Sequence, residues 1–164
     1  MSGVAAVPEL TLIAESVENA NARIRFFRVA FGAASAGQGL GSAEIRGILG
    51  DVMRGGRLSV DWQPEGDCLR TEVKLALLLI LCLETAMPWG GRITVTREDG
   101  RWQLSGAAER MKLDPVLWAT LRGSDPDLDL SSAQVQFALA PEAADRLGKT
   151  LAVELQPTLV TVVF

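Results

Sequence analysis

Residues 8–32 read PELTLIAESVENANARIRFFRVAFG, and their apolar positions recur at alternating steps of three and four. This spacing predicts a helix that packs lengthwise against another helix, because residues three and four apart share one helical face. Pro8 suits the first turn of such a helix, and Gly32 suits its end. We call the recurring positions the apolar stripe, which consists of Leu10, Ile13, Val17, Ala20, Ile24, Phe27 and Phe31. The apolar stripe predicts that this helix forms the seam of a dimer.

The second half of this helix carries further apolar residues and a set of arginines. The extra apolar positions are Phe26, Val29, Ala30 and Ala33. A helix that is apolar on two sides is expected to be covered from both. Between Asn19 and Arg57 the chain holds six arginines against Glu44 and Asp51, a local charge of +4. We therefore expect a positive surface at this end of the helix.

The composition of the 164 residues excludes several classes of chemistry. Lys and Arg number 16, Asp and Glu number 20, the net charge is -4, and histidine is absent. Without imidazole these residues provide no Ser/His/Asp triad, no histidine-ligated zinc and no phosphohistidine. Cys68 and Cys82 have no metal-binding or redox spacing, so we expect no metal, no cofactor and no disulfide.

Charge and hydropathy also restrict the partners. An acidic chain is a poor general nucleic-acid binder, since phosphates require a basic face. The longest apolar run, residues 75–83, is far shorter than a membrane span. We therefore expect a cytoplasmic protein that binds neither nucleic acid nor membrane.

After a predicted flexible linker over residues 32–41, the pattern alternates between helix and strand. Ser42 is expected to cap a helix that ends near Arg54. Alternating apolar residues predict a strand over 58–62. A long buried helix is expected from Asp67 or Cys68 to Met87, followed by Pro88.

The second half of this region is predicted to complete a sheet. Asp99-Gly100 is a strong hairpin signal between two strands. Asp114-Pro115 caps a short helix, and a helical stretch begins at Ser131 or Ser132, is interrupted at Pro141 and ends by Gly148. Strands over 150–155 and 158–164 follow. The fold class is α+β, with a helix domain over 1–36 and a helix-covered sheet domain over 42–164.

Two motifs resemble those of a known family. ARIRFFRVAFG, residues 22–32, resembles the (A)RLxFFRxAFG segment of ChpT-like histidine phosphotransferases. MPWGGRITV, residues 87–95, resembles their LPxGGxxxV segment. The order of elements is also similar to the second dimerisation helix and ATPase-like domain of histidine kinases.

The resemblance implies a bacterial phosphorelay module that passes phosphate between the receiver domains of a hybrid histidine kinase and of response regulators. It implies a homodimer and a degenerate kinase-like α/β sandwich that no longer binds ATP. The family carries its phosphoacceptor histidine on a preceding helix, which we expect to be missing from these residues. The chain then holds no catalytic residue. The alternative is a non-catalytic regulator that binds receivers, and a third hypothesis, an ATP-hydrolysing enzyme, is disfavoured.

Comparison with kinases places the metal-binding asparagine position near Cys82, with Leu78 one turn earlier. SGAAE, residues 105–109, supplies no Asp-x-Gly-x-Gly turn, and the acidic residues 125–129 would repel a triphosphate. For receiver docking we expect Arg23, Phe26 and Arg28 to form the partner surface, because a positive rim suits an acidic receiver pocket. Core packing is the competing interpretation for Phe26 and its aromatic neighbours.

Overall fold

The protein is an α+β fold in which a long helix precedes a helix-covered sheet, as expected. In this computed structural model, residues 3–123 and 128–164 are described. The helices are α1 (Gly3–Ala30), α2 (Ser42–Met53), α3 (Arg70–Ala86), α4 (Pro115–Ala119) and α5 (Gln136–Arg146), with 3-10 turns at Thr120–Arg122 and Ser132–Gln134. The strands are β1 (Gly39–Gly41), β2 (Leu58–Trp62), β3 (Asp67–Leu69), β4 (Gly91–Glu98), β5 (Arg101–Ala107), β6 (Ala152–Gln156) and β7 (Leu159–Val163).

Five of the strands form one sheet in the order β2-β4-β5-β7-β6. The β2–β4 pair is parallel, and the other pairs are antiparallel. The turn between β4 and β5 confirms the predicted Asp-Gly hairpin. Asp99 and Gly100 have φ angles of 51° and 77°, the left-handed pair that matches the twist of a two-residue hairpin.

The core lies between one face of this sheet and α3. Strand residues alternate between buried and accessible positions, so that Ile93, Val95 and Leu104 point inward. Helix α3 is apolar around its circumference, and ten of its residues are buried. Phe26 and Val29 of α1 belong to the same hydrophobic cluster. The second half of α1 is therefore packed against the sheet domain.

Three predictions in the first half of the chain are wrong in detail. Helix α1 begins at Gly3, and Pro8 lies inside it. The expected flexible linker ends in a strand, since β1 pairs antiparallel with β3 and places Leu40 opposite Cys68. Strand β3 also delays the long buried helix, which begins at Arg70 instead of Asp67 or Cys68.

Two predicted helix signals also act differently in the structure. Ser42 does not cap α2. Its Oγ lies 2.6 Å from the carbonyl oxygen of Pro64 and 2.7 Å from that of Gly66, and the N-cap residue is Gly41. Pro141 does not interrupt α5, which is continuous from Gln136 to Arg146. By contrast, Asp114 caps α4 as predicted, because its carboxylate accepts from the amides of Val116 and Leu117.

Among the described residues, no helix is long and apolar enough to cross a lipid bilayer.

Candidate functional site

Helix α1 has two apolar faces. Ala22, Phe26, Val29 and Ala30 are buried against the domain. The apolar stripe lies on the opposite side, since Ile24 is two residues, or about 200°, around the helix from Phe26. Its side chains are exposed, from 62% at Leu10 to 39% at Phe31. An apolar stripe is therefore presented outward along α1.

The first half of α1 extends beyond the domain. Residues 7–21 are all exposed, and at 1.5 Å per residue they span about 22 Å. The ion-pair contact from this part to the domain joins Glu18 to Arg54 of α2, at 3.8 Å. This projecting segment can be reached by another helix along its full length.

The arginines of α1 lie beside the stripe, and they differ in their contacts. Arg25 donates to Asp51 of α2 at 2.6 Å, and Asp51 also accepts from Arg54 at 2.7 Å. Arg23 and Arg28 are exposed, and within the described part of the chain neither forms an ion pair. Arg23 and Arg28 are thus available to an acidic partner.

Phe26 does not belong to the docking surface in this structure, which corrects the expected set. The side chain is 2% exposed and forms part of the core. Its ring packs edge-on against that of Phe27, with 5.9 Å between the centroids. Phe26 faces the domain because it lies on the helical face opposite the stripe, so a partner on the stripe has no access to it.

A groove runs between the end of α1 and the domain. Its volume is about 930 Å³, and Arg23, Phe27 and Phe31 line its α1 side. The domain side includes Val52 and Met53 at the end of α2, Leu81 of α3 and Val135 before α5. These four residues were not predicted from the sequence, because they are distant from one another along the chain and no local pattern joins them. The groove extends the apolar stripe onto the domain.

Lys74 of α3 contacts the carboxyl-terminal end of α1. The sequence pattern did not predict this contact. Its Nζ donates to the carbonyl oxygens of Ala30 at 2.9 Å and Gly32 at 2.8 Å. These carbonyls belong to the end of a helix, where backbone acceptors lack partners and a cation is favourable. Partial burial lowers the pKa of Lys74, and the nearby charge of Arg146 lowers it further. The two Lys74 hydrogen bonds therefore help to hold α1, and with it the apolar stripe, in one orientation relative to the sheet domain.

The region that would hold a magnesium nucleotide in a kinase does not fit that ligand. Leu78 and Cys82 are fully buried within α3. Burial raises the pKa of the Cys82 thiol well above its ordinary value, so the sulfur stays protonated in an apolar setting. Mg²⁺ requires hard oxygen ligands. Of the acidic residues 125–129, the first three lie outside the described residues, and Asp129 is exposed.

No residues in the described part of the chain form a metal-binding cluster of three or more Cys, Asp or Glu side chains.

Comparisons with known proteins agree with this architecture. The protein phosphotransferase ChpT of Brucella abortus (strain 2308) is 28% identical over 149 residues, which cover 85% of this chain and 71% of that protein. The structure of a bacterial phosphotransferase superposes with a TM-score of 0.78 at 22% identity, covering 99% of this chain and 80% of the other. Full-length ShkA in complex with AMPPNP gives a TM-score of 0.52 at 15% identity, covering 100% and 38% of the two chains. The Acinetobacter baumannii histidine kinase AdeS gives a TM-score of 0.50 at 12% identity, covering 97% of this chain and 80% of the other, and this likeness supports the kinase-like fold.

The family model described as the histidine phosphotransferase C-terminal domain matches residues 42–158, well over half of the chain. This match and the similarity to ChpT confirm the resemblance stated from the two motifs, and the chain belongs to the ChpT-like histidine phosphotransferases.

Proposed function

We propose that this protein is a module of a bacterial phosphorelay that docks receiver domains and serves the transfer of phosphate between them. The observation that carries the proposal is the exposed apolar stripe of α1, flanked by Arg23 and Arg28, which form no ion pair with any side chain that the structure describes. A stripe of this length calls for a neighbouring helix, and the positive flanks suit an acidic receiver. Membership of the ChpT-like family supports the same function.

The phosphoacceptor in this proposal lies outside the 164 residues, since they include no histidine. We propose that a histidine-bearing helix packs along the stripe, and that two copies assemble as a homodimer through residues 10–31. In this division, residues 1–36 form the dimerisation helix and residues 42–164 form a degenerate ATPase-like domain. The partners are the receivers of a hybrid histidine kinase and of response regulators, which places the module in the cytoplasm.

The second candidate function is a non-catalytic regulator that occupies receivers without accepting phosphate. The observation that favours it is the absence of histidine from the sequence. The coding DNA distinguishes the two candidates. An in-frame helix upstream of Met1 with a His-Asp pair favours the relay, whereas a ribosome-binding site and an in-frame stop codon directly upstream favour the regulator.

Receiver docking is tested by charge reversal at Arg28. We expect Arg28→Glu to weaken binding of the receiver of a hybrid kinase by about tenfold in calorimetry, because charge pairs across an interface contribute on the order of 1.5 kcal/mol or more. Arg101→Glu is the matched control, since Arg101 is an exposed arginine at the β4–β5 hairpin, outside α1.

Equal receiver affinity for Arg28→Glu and the unmodified chain contradicts docking at the stripe. An equal loss in Arg101→Glu assigns the effect to net charge alone and contradicts it as well.

A further inference from the structure

Trp89 differs from the other tryptophans of the chain. Its side chain is 43% exposed, whereas Trp62, Trp102 and Trp118 are buried. It lies in the turn between α3 and β4, outside the core cluster and outside the stripe. The guanidinium carbon of Arg110 lies 3.9 Å from the centre of the Trp89 ring. Tryptophan and arginine are among the residues most enriched at the energetic centres of protein interfaces.

The turn that presents Trp89 is held firmly by its neighbours. Gly90 has a φ of +102°, and a Cβ there would lie 2.7 Å from the Cβ of Arg57. Gly91 has a φ of +152°, and a Cβ there would lie 2.6 Å from the carbonyl oxygen of Ala107. The amide of Gly91 also donates to the Arg57 carbonyl oxygen at 3.2 Å. Glycine at both positions lets the turn pack closely against Arg57, which precedes β2, and against β5.

The loop that carries Arg110 is also anchored. The amide of Lys112 donates to the carbonyl oxygen of Ala86 at the end of α3, at 2.8 Å, and the amide of Ala108 donates to that of Thr158, at 3.1 Å. Two anchored segments thus hold the stacked Trp89–Arg110 pair. A preorganised surface loses less conformational entropy on binding than a mobile one.

The surroundings of the pair are positive. Arg57, Arg110 and Lys112 are exposed, and none forms an ion pair within the described residues. The same loop carries two carboxylates, Glu109 and Asp114, of which Asp114 caps α4, and the half-buried Glu84 lines the groove with Arg57. Of the exposed charged side chains here that neither cap a helix nor form an ion pair within the described residues, three are cations and one is a carboxylate, in a chain of net charge -4. Charge complementarity therefore selects an acidic occupant.

We propose that Trp89 and Arg110 form a docking surface for an acidic segment of a protein partner. Carboxylates of the segment pair with Arg57, Arg110 and Lys112, and an apolar side chain packs against the exposed part of the Trp89 ring. The surface borders the groove, because Arg57 and Gly90 line it. It does not include Arg23 or Arg28, so the inference stands independently of the proposed receiver docking.

The test uses the full 164-residue chain and a fluorescein-labelled peptide of seven glutamates and two leucines. Fluorescence anisotropy is expected to show saturable binding that weakens as salt increases. Arg110→Glu and Trp89→Ala are each expected to weaken binding by about tenfold or more, as hot-spot substitutions do. Arg101→Glu makes the same charge change elsewhere and is expected to bind the peptide with at most twofold weaker affinity. Urea unfolding curves establish that each variant is folded.

Absence of saturable binding overturns the inference, as does unchanged affinity in Arg110→Glu. An equal loss in Arg101→Glu shows that attraction is general and also overturns it. Tighter binding of a single-stranded RNA than of the peptide also overturns the inference, because the partner of this surface would then be a nucleic acid. None of these results affects receiver binding through Arg28, so this inference and the proposed function can fail separately.

Discussion

Phe26 and Phe27 are adjacent in the sequence, about 100° apart around α1, and they differ in burial. Phe26 is buried with Val29 and Ala30, whereas Phe27 is exposed and lines the groove. Heptad spacing predicts Phe27 in the stripe, and the arginines beside Phe26 favour a partner surface there, with core packing as the competing interpretation. Either of two apolar faces of a helix can be the buried one. Which face meets the domain depends on contacts with α2 and α3, which the local pattern does not contain.

The two phenylalanines are predicted to differ in their effect on stability. Phe26→Ala is expected to lower the free energy of unfolding by about 3 to 5 kcal/mol, because it leaves a cavity in the core. Phe27→Ala removes an exposed ring and is expected to cost less than about 1 kcal/mol in the isolated protomer. Urea denaturation followed by circular dichroism at low protein concentration measures both. Equal losses for the two variants would show that the assignment of faces is wrong.

Helices and strands with a repeated pattern were predicted well from the sequence, and elements made by distant pairing were not. The Asp-Gly hairpin and the Asp114 cap depend on neighbouring residues, so their signals are local. Strands β1 and β3 have three residues each, and they exist because Leu40 pairs with Cys68. Three residues are too few for a periodic signal. The hydroxyl of Ser42 is likewise used by a loop more than twenty residues away.

At the scale of α1, the exposed stripe predicts self-association. Burying a large apolar side chain is worth about 1.5 to 3 kcal/mol, so pairing of the stripe between copies is favourable. We expect a dimer or larger assembly in multi-angle light scattering, and a shift toward monomer in Val17→Glu. Glu15→Gln is the matched control, because residue 15 is exposed and outside the stripe.

A monodisperse monomer at high protein concentration would contradict the seam, and so would a Val17→Glu variant that associates as strongly as the unmodified chain.

The domain has a kinase-like fold whose core is built around α3, ten of whose residues are buried. The helix that carries a metal ligand in kinases here presents Leu78 and Cys82 to the interior, and both are fully buried. Burial raises the pKa of the Cys82 thiol, so the sulfur stays protonated and is a poor ligand for Mg²⁺. The positions of α3 that correspond to the metal-binding helix of kinases are thus part of the core, and Lys74 on the same helix holds the end of α1.

The sheet domain is predicted not to bind ATP. Titration with Mg-ATP is expected to give no saturable heat, and the melting temperature is expected to stay unchanged at millimolar Mg-ATP. A ligand at 100 times its Kd would stabilise the native state by about 2.7 kcal/mol, a shift that a thermal melt detects easily. The ATP-binding domain of a histidine kinase provides the positive control in the same buffer. Saturable heat with a matching rise in melting temperature would overturn the prediction, because a nucleotide would then have to be held by groups other than those of α3.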